Sequence, residues 1–231
     1  MDSDDYIAND MVEKMLHAAR EYNALVVCCG RIRVTKTGMY EMHAMMGEHI
    51  LTGEDAIKQI LIGGVVEEAA WDKLYKANVF TNRRFPIGEI NEDIVQTIEI
   101  LGGCQQIVHV GKALYYYCEN ENSITTSKYT PRKKVCIEHL NQIAEYLKIT
   151  YPTLLKYFHN LELRYYQGLL YLLLDNTKTL NDNKDDYREI FNRFKVAFKK
   201  TYGGKGQSSK ERMKGFMIYF RLYFWIHLII K

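Results

Sequence analysis

Two groups of carboxylates have residue types and spacings that could do chemistry. Asp2 and Asp4 form a D-x-D pair at the start of the chain, with Asp5 directly behind them. Two carboxylates on one tight loop can share a hard divalent cation. Mg²⁺ and Mn²⁺ favour such oxygen ligands and leave coordination positions open for phosphate oxygens. The same residues also suit an acidic, frayed N-terminus, so the spacing alone leaves both interpretations open.

Glu92 and Asp93 form the second group, at a predicted helix start after a glycine-containing loop. Carboxylates favour the positive end of a helix dipole, so helix-terminal charge is one interpretation. The other is a general base held at the mouth of a sheet, where it would take a proton from a substrate. Periodicity alone favours the first interpretation.

The composition indicates a soluble, globular chain. Its 231 residues are 47% apolar and 26% charged, which suits one sizeable domain or a compact domain with a helical extension. The net charge is only +3, so the whole chain does not predict nucleic-acid binding, although residues 188–214 are strongly basic. Five cysteines without metal-type spacing predict neither a disulfide framework nor a zinc site. We expect Cys28 and Cys29 to be buried thiols in a protein of the reducing cytosol.

The elements that would position the carboxylates are mixed helix and strand up to about residue 130. A helix capped by Asp10 runs to about Tyr22, and the strand ALVVCCG follows and ends at Gly30. A helix followed by a buried strand is the second half of a βαβ unit, which places the first carboxylates on a strand-to-helix loop.

Further elements are predicted from turn, capping and periodicity signals. Before residue 130 they are an irregular excursion over 31–50, a helix from Thr52 to about Ile62, and a short strand and helical turn in WDKLYKANVF. A helix from Glu92-Asp93 to Gly102-Gly103 and two short strands broken at Gly111 follow. After residue 130 the pattern predicts helices over roughly 132–149, 152–175, 184–201 and 209–230. The change in composition near residue 130 separates an α/β part from a helical tail.

The order of these segments resembles the family-2 glycosyltransferases, and more narrowly the bacterial members that build surface polysaccharides from sugar nucleotides. The matching segments are DSDDYI, ALVVCCG, WDKLYKANVF, RFPIGEINEDI and ALYYYCENENSIT, which extend from Asp2 to about Tyr129. Each motif alone is weak. Their shared order and spacing make the resemblance specific.

The resemblance implies an α/β fold: an incomplete GT-A-type, Rossmann-like half domain followed by a helical C-terminal tail. Residues 1–130 would be the acceptor half, beginning at the D-x-D loop, and residues 131–231 a helical extension. In the family a nucleotide-binding half precedes that loop. We therefore expect the chain to correspond to the second part of such an enzyme, to lack the uracil and ribose pocket, and to bind donor weakly.

The resemblance also implies roles for the carboxylates. Asp4 would hold a divalent cation, Mn²⁺ or Mg²⁺, that bridges the donor diphosphate. Asp2 would contact the metal or the nucleotide beside it, and Asp5 would lie on the same donor side. Asp93, in an E-D pair with Glu92, would be the catalytic base.

Four further residues are implied on the acceptor side. Trp71 and Lys73 belong to the W-x-K-L-Y segment, which packs beneath the site, and Tyr117 and Ser123 would line it. Cys118 stands where the family often has arginine or histidine, so an expected cation near the diphosphate is absent.

The implied function is sugar transfer with inversion from a nucleotide-sugar donor to a saccharide or lipid-linked acceptor, in surface polysaccharide biosynthesis. We expect no nucleic-acid partner and keep a homo-oligomer as an open expectation. The competing hypothesis is a non-catalytic remnant or assembly module that pairs with another chain or with a membrane surface.

The C-terminal stretch FMIYFRLYFWIHLII is interrupted by Arg221 and His227, and it is too short and too polar to predict a membrane span. Because it follows a basic stretch, residues 209–230 could lie in a membrane interface with Trp225 at headgroup depth. The protein would then be peripheral at the inner face of the plasma membrane. A helix packed on the domain fits the pattern equally well.

Overall fold

The computed structural model describes residues 1–120, 127–175, 177–204 and 207–222. Six strands form one sheet: β1 (Tyr6–Ile7), β2 (Val26–Thr35), β3 (Gly38–Met42), β4 (His49–Leu51), β5 (Lys73–Tyr75) and β6 (Ile107–Cys118). The helices are α1 (Met11–Glu21), α2 (Gly53–Ile62), α3 (Asp93–Gly102), α4 (Val135–Thr150), α5 (Leu155–Leu174), α6 (Thr177–Asp182), α7 (Lys184–Lys200) and α8 (Ser209–Tyr219). The predicted α/β fold class with a helical C-terminal part is confirmed.

The centre of the sheet is the parallel pair β2 and β6, in which Val26 lies opposite Ile107. All other pairings are antiparallel: β1 and β4 pair with β6, and β3 and β5 pair with β2. The first halves of β2 and β6 are buried, which explains their nearly continuous apolar runs. Since the two strands are parallel, their carboxyl ends meet at one edge of the sheet.

Two glycines were wrongly predicted to end strands. β2 continues through Gly30 to Thr35, and β6 is one strand that passes through Gly111 with a φ of 72°. A Cβ on Gly30 would approach the backbone of residues 42–44 to less than 3 Å, and one on Gly111 would collide with the carbonyl oxygen of Gly47. These glycines therefore let the segment 42–47 cross closely over the central strands.

The excursion predicted over residues 31–50 is also more regular than expected. It contains the second half of β2, the hairpin strand β3 and the start of β4. The pairing of Thr35 with Gly38 places a hairpin turn between these two residues. Its strands carry mostly half-buried and exposed side chains, so the sequence lacks the apolar alternation by which strands are recognised.

Most helix predictions are confirmed. Thr52 caps α2 by accepting a hydrogen bond from the Asp55 N–H at 3.1 Å, and Glu92 is the N-cap of α3. Asp10 precedes α1 as expected, but its carboxylate pairs with Lys14 instead of capping the helix. The short helix α6 was not predicted, and the last residues of the helix expected over 209–230 lie outside the described residues.

Each face of the sheet is covered by its own core. α1 packs on one face through Met11 and Met15, against β2 and β6. The other core continues from α2 and α3 into α4, α5, α7 and α8 without a break near residue 130. The domain boundary near residue 130 stays a prediction. Cys28 and Cys29 are fully buried free thiols, as predicted.

Candidate functional site

A cleft of about 1290 Å³ lies beside the middle of β2, at Arg31, and the carboxyl end of β6. Its walls come from the N-terminal loop, the segment before β5, the start of α3 and one side of α5. Six of the residues singled out from the sequence line it: Asp2, Asp4, Trp71, Glu92, Asp93 and Tyr117. Ser123 lies outside the described residues.

The N-terminal loop holds its carboxylates in two different environments. Asp5 is buried: its Oδ2 accepts from the Tyr115 hydroxyl at 2.7 Å, and its Oδ1 accepts from the Cys118 N–H at 2.8 Å. The N–H of Asp2 donates to the same tyrosine oxygen at 3.1 Å. Asp5 thus anchors the loop to β6, whereas the exposed Asp2 and Asp4 line the cleft. This placement gives Asp5 a structural role, and the donor contact expected for it stays a prediction.

The exposed pair suits a hard cation that completes its coordination with other ligands. Partial burial raises the pKa of Asp2, and the charges of Asp5, Asp4 and Glu92 raise it further, so this end of the cleft is negative. Within the described ranges, no three His, Cys, Asp or Glu side chains form a group that could hold a metal. Two carboxylates alone do not make a closed structural site. They do match an open Mg²⁺ or Mn²⁺ site that takes further oxygens from a bound phosphate.

Asp93 is the first residue of α3, and its environment differs from that of the loop. Its Oδ2 accepts from the Ala70 N–H at 3.0 Å. Burial raises the pKa of Asp93 to about 6 and outweighs the Ala70 hydrogen bond, which lowers it, while the negative charges of Glu92 and Glu68 add smaller increases. The carboxylate is therefore ionised at neutral pH with a pKa near the working range of a general base.

Trp71 and Tyr117 form an aromatic wall of the cleft. The Trp71 ring stacks on Tyr115 with 4.3 Å between ring centroids and on Tyr117 with 5.7 Å. The guanidinium carbon of Arg31 lies 5.6 Å from the centroids of both Trp71 and Tyr117. Stacking on two rings places a permanent positive charge on the wall of the cleft.

Arg31 was not recognised from the sequence. It lines the cleft and pairs with Glu67, with 3.2 Å between its Nη2 and the Glu67 Oε1. The His43 Nε2 lies 2.5 Å from the same Glu67 oxygen. Burial opposes ionisation of Glu67, but His43 and the charge of Arg31 outweigh it and lower the pKa of Glu67 to about 2. The available signal was a charged residue directly after a buried apolar run. Arg31 places a cation in the cleft that Cys118 also lines.

Lys73 lies beneath the cleft rather than on its surface. Its ammonium donates to the carbonyl oxygens of Glu67 at 2.8 Å and Ala69 at 2.6 Å, and to the Asp72 carboxylate at 2.5 Å. The Lys73 side chain is 0% exposed and that of Asp72 is 2% exposed. Burial lowers the pKa of Lys73, but the pairing with Asp72 together with the neighbouring Tyr75 and Cys28 outweighs burial and raises it.

The far end of the cleft is aromatic and apolar, and the sequence did not predict it. Its lining residues come from the loop after β5 and from α5: Phe80, Phe85, Tyr165, Gly168, Leu169 and Leu172. Gly168 is exposed among buried neighbours, and a Cβ there would meet no atom within 4 Å. α5 therefore leaves open space where a larger side chain would narrow the cleft.

Similar proteins are found by sequence and by structure, although no family model matches the chain. "Glycosyltransferase GlyA" of Streptococcus pneumoniae serotype 4 (strain ATCC BAA-334 / TIGR4) is 27% identical over 135 residues, which are 54% of this chain and 19% of that protein. The crystal structure of S. aureus TarS 1–349 in complex with UDP-GlcNAc matches 99% of this chain and 65% of that chain, at 17% identity and a TM-score of 0.58. The same TarS fragment with UDP has a TM-score of 0.51 at 15% identity.

The chain spans less than two thirds of the TarS fragment and about a fifth of GlyA. At 17% identity the structural match to TarS shows a shared fold. The fold described above, including its helical C-terminal part, is therefore shared with TarS.

Proposed function

We propose that this chain belongs to a glycosyltransferase that moves a sugar from a nucleotide-sugar donor to a saccharide or lipid-linked acceptor. The observation that carries the proposal is one cleft lined by both the exposed Asp2–Asp4 pair and the half-buried Asp93. Similarity to GlyA and the fold shared with TarS, which was crystallised with UDP-GlcNAc, support a nucleotide sugar as the donor. The finer assignment is an inverting, hexosyl-type, family-2 enzyme of the GT-A fold, acting in surface polysaccharide synthesis.

The donor would bind at the end of the cleft that is lined by the negative Asp2 and Asp4 and by the positive Arg31. Asp2 and Asp4 would hold Mn²⁺ or Mg²⁺, which when bound offsets the negative charge of a departing nucleoside diphosphate. Arg31, fixed between two aromatic rings and Glu67, would place a further positive charge near the diphosphate oxygens. Arginine suits this role because its planar group donates two parallel hydrogen bonds to phosphate.

Asp93 would act on the acceptor. As the acceptor hydroxyl oxygen bonds to the anomeric carbon, the bond from that carbon to the diphosphate oxygen breaks and its electron pair leaves with the diphosphate. The hydroxyl proton passes to the Asp93 carboxylate. A base with a pKa of about 6 is ionised before the reaction and releases the proton readily afterwards. Glu92 lines the cleft beside it.

The acceptor would occupy the aromatic end of the cleft. Phe80, Phe85 and Tyr165 present ring surface there, and the Tyr165 hydroxyl lies 3.5 Å from the Glu68 Oε1. Sugar rings combine an apolar face with hydroxyls at the edge, so this mixture favours a saccharide over a purely apolar chain.

The test is calorimetry of UDP binding with and without Mn²⁺. We expect weak, Mn²⁺-dependent binding that Asp4→Ala abolishes. Asp185→Ala is the matched control, because the Asp185 side chain is 94% exposed on α7 and forms an ion pair with the nearby Arg188. Binding that is independent of Mn²⁺, or equal in the wild type and Asp4→Ala, would contradict the donor assignment.

We also propose a peripheral membrane contact at the cytoplasmic face, through residues 209–230. Among the described part of this segment, Met213, Phe216, Phe220 and Leu222 are exposed next to basic residues. No helix in the described ranges has the length and apolarity to cross a bilayer. Large apolar side chains beside lysine and arginine are typical of interfacial binding.

Vesicle sedimentation tests the membrane contact. Phe220→Ser with Leu222→Ser should reduce pelleting with anionic vesicles at low salt. Ile149→Ser, on an 83% exposed residue of α4, should not. Because basic residues assist the binding, pelleting of the wild type should fall as salt rises. Equal pelleting of all three proteins would exclude this surface as the contact.

A further inference from the structure

One peptide bond connects Lys73 to Asp93. The carbonyl oxygen of Ala69 accepts from the Lys73 ammonium at 2.6 Å. The N–H of Ala70, on the other side of the same peptide bond, donates to the Asp93 Oδ2 at 3.0 Å. A positive charge on the carbonyl side of an amide draws electron density toward the oxygen and makes the N–H a stronger donor. Hydrogen bonds in such a chain polarise one another.

The lysine is held firmly enough to fix that peptide bond. Its ammonium is buried and has three partners: two carbonyls of the loop, from Glu67 and Ala69, and the Asp72 carboxylate. Three acceptors satisfy the three N–H groups of a lysine. A neutral side chain at position 73 would leave two loop carbonyls and a buried carboxylate without their donor.

We propose that Lys73 is a positioning residue for Asp93 and acts through the peptide bond between Ala69 and Ala70. It orients the loop so that the Ala70 N–H points at the carboxylate, and it strengthens that donor. The importance of Asp93 as the base rests on the proposed function, but the link between the two side chains does not. Lys73 touches no reacting atom, because it lies under the loop rather than in the cleft.

Several of the groups that face Asp93 are acidic or phenolic. Glu92 precedes it on α3, Glu68 comes from the loop, and Tyr75 on β5 and Tyr165 on α5 feel its charge. The carboxylates raise the pKa of Asp93, as does burial, whereas the Ala70 N–H lowers it. Weakening that donor should therefore move the pKa of Asp93 upward.

The experiment is ¹³C NMR titration of the full chain labelled at aspartate carboxyl carbons, with the Asp93 signal assigned by its loss in Asp93→Asn. In the wild type we expect a midpoint near pH 6. In Lys73→Met the midpoint should rise by about 1, because the hydrogen bond that favours the ionised form is weaker. Lys76→Met is the matched control, since Lys76 is exposed three residues away, and its midpoint should equal that of the wild type.

A second measurement on the wild type keeps the proposal testable if Lys73→Met does not fold. The Ala69 carbonyl carbon and the Lys73 Nζ signals should both shift with the midpoint of Asp93, and those shifts should vanish in Asp93→Asn. Two results would overturn the proposal. One is a folded Lys73→Met variant whose Asp93 midpoint is unchanged, and the other is wild-type Ala69 and Lys73 signals that do not shift as Asp93 titrates. Neither result requires donor or acceptor, so failure here is distinct from failure of the proposed transfer.

Discussion

The two ends of the cleft use the same functional group in opposite ways. Asp2 and Asp4 are exposed, stand in a negative environment, and lie on a loop tied to the sheet through Asp5. Asp93 is half-buried on a helix start and is held by a backbone N–H that a buried lysine supports. An exposed pair can receive a hydrated cation, whereas a single desolvated carboxylate is better suited to receive a proton.

The difference shows that the burial and the neighbouring charges of a carboxylate determine its role more than the motif in which it occurs. Pairs of acids with different surroundings commonly divide the work of one reaction. The difference also predicts that substitutions at the two ends will affect function and stability differently. Replacing a residue at the exposed end should change function without changing stability, whereas replacing Asp93 should change both.

The largest effect is expected from Asp93→Asn. Removal of a general base typically lowers the rate by about 10²–10⁴-fold, so transfer should nearly stop. The free energy of unfolding should rise, so the variant should be more stable than the wild type. Since the folded pKa is raised to about 6 from 3.8, the ionised carboxyl destabilises the fold, and this penalty grows as the pH rises from about 4 to 6.

The predicted gain for Asp93→Asn is about 1–2 kcal/mol at pH 7.5, after allowance for partial exposure of the side chain, and close to zero at pH 3.5. Urea denaturation at the two pH values measures it. Asp185→Asn, at an exposed site, should show no gain at either pH. A loss of stability in Asp93→Asn at pH 7.5 would mean that burial does not strain this carboxylate.

A smaller effect should separate neighbours on the N-terminal loop. Asp5→Ala leaves the buried Tyr115 hydroxyl and the Cys118 N–H without their acceptor, and we expect a cost of about 1–3 kcal/mol in the free energy of unfolding. Asp4→Ala, one residue away and exposed, should lie within about 0.5 kcal/mol of the wild type. Chemical denaturation compares the two variants directly. Equal losses in the free energy of unfolding would contradict the distinction between Asp5 as the anchor of the loop and Asp4 as a metal ligand.

The smallest effect is expected at the aromatic end of the cleft. Gly168→Leu should fill the open space on α5 and raise the KM for acceptor by about tenfold, equivalent to about 1.4 kcal/mol, while the KM for donor stays unchanged. Gly168→Ala adds one carbon and serves as the matched variant, with little change in either constant. A larger change in the donor constant would show that the two ends of the cleft are not separate.

The sequence predicted the regular elements with strong periodicity and caps, such as α2 behind Thr52 and α3 from Asp93. It missed the continuity of β2 and β6, because Gly30 and Gly111 signal strand ends unless a crossing segment is known. That crossing depends on tertiary contacts between residues far apart in the chain, and no local pattern contains them.

The residues of the candidate site likewise include some that local motifs predict and others that only tertiary contacts reveal. Asp2, Asp4 and Asp93 have motifs, and motifs were enough to select them. Arg31 became visible only because the register of β2 and the stacking of Trp71 and Tyr117 bring its guanidinium to the cleft. The role of Lys73 depends on the position of one peptide bond, which spacing cannot reveal.

The stacked wall of the cleft also has an optical consequence. The chain contains two tryptophans, and Trp71 is in ring contact with Tyr115 and Tyr117 and lies beneath the charge of Arg31. Indole emission responds to nearby charge and to exclusion of water, so any molecule that enters beside Arg31 alters the light that Trp71 emits. With Trp225, outside the described residues, replaced by phenylalanine, the protein carries a single tryptophan, in the wall of its own cleft, and its indole emission reports occupancy without an attached dye.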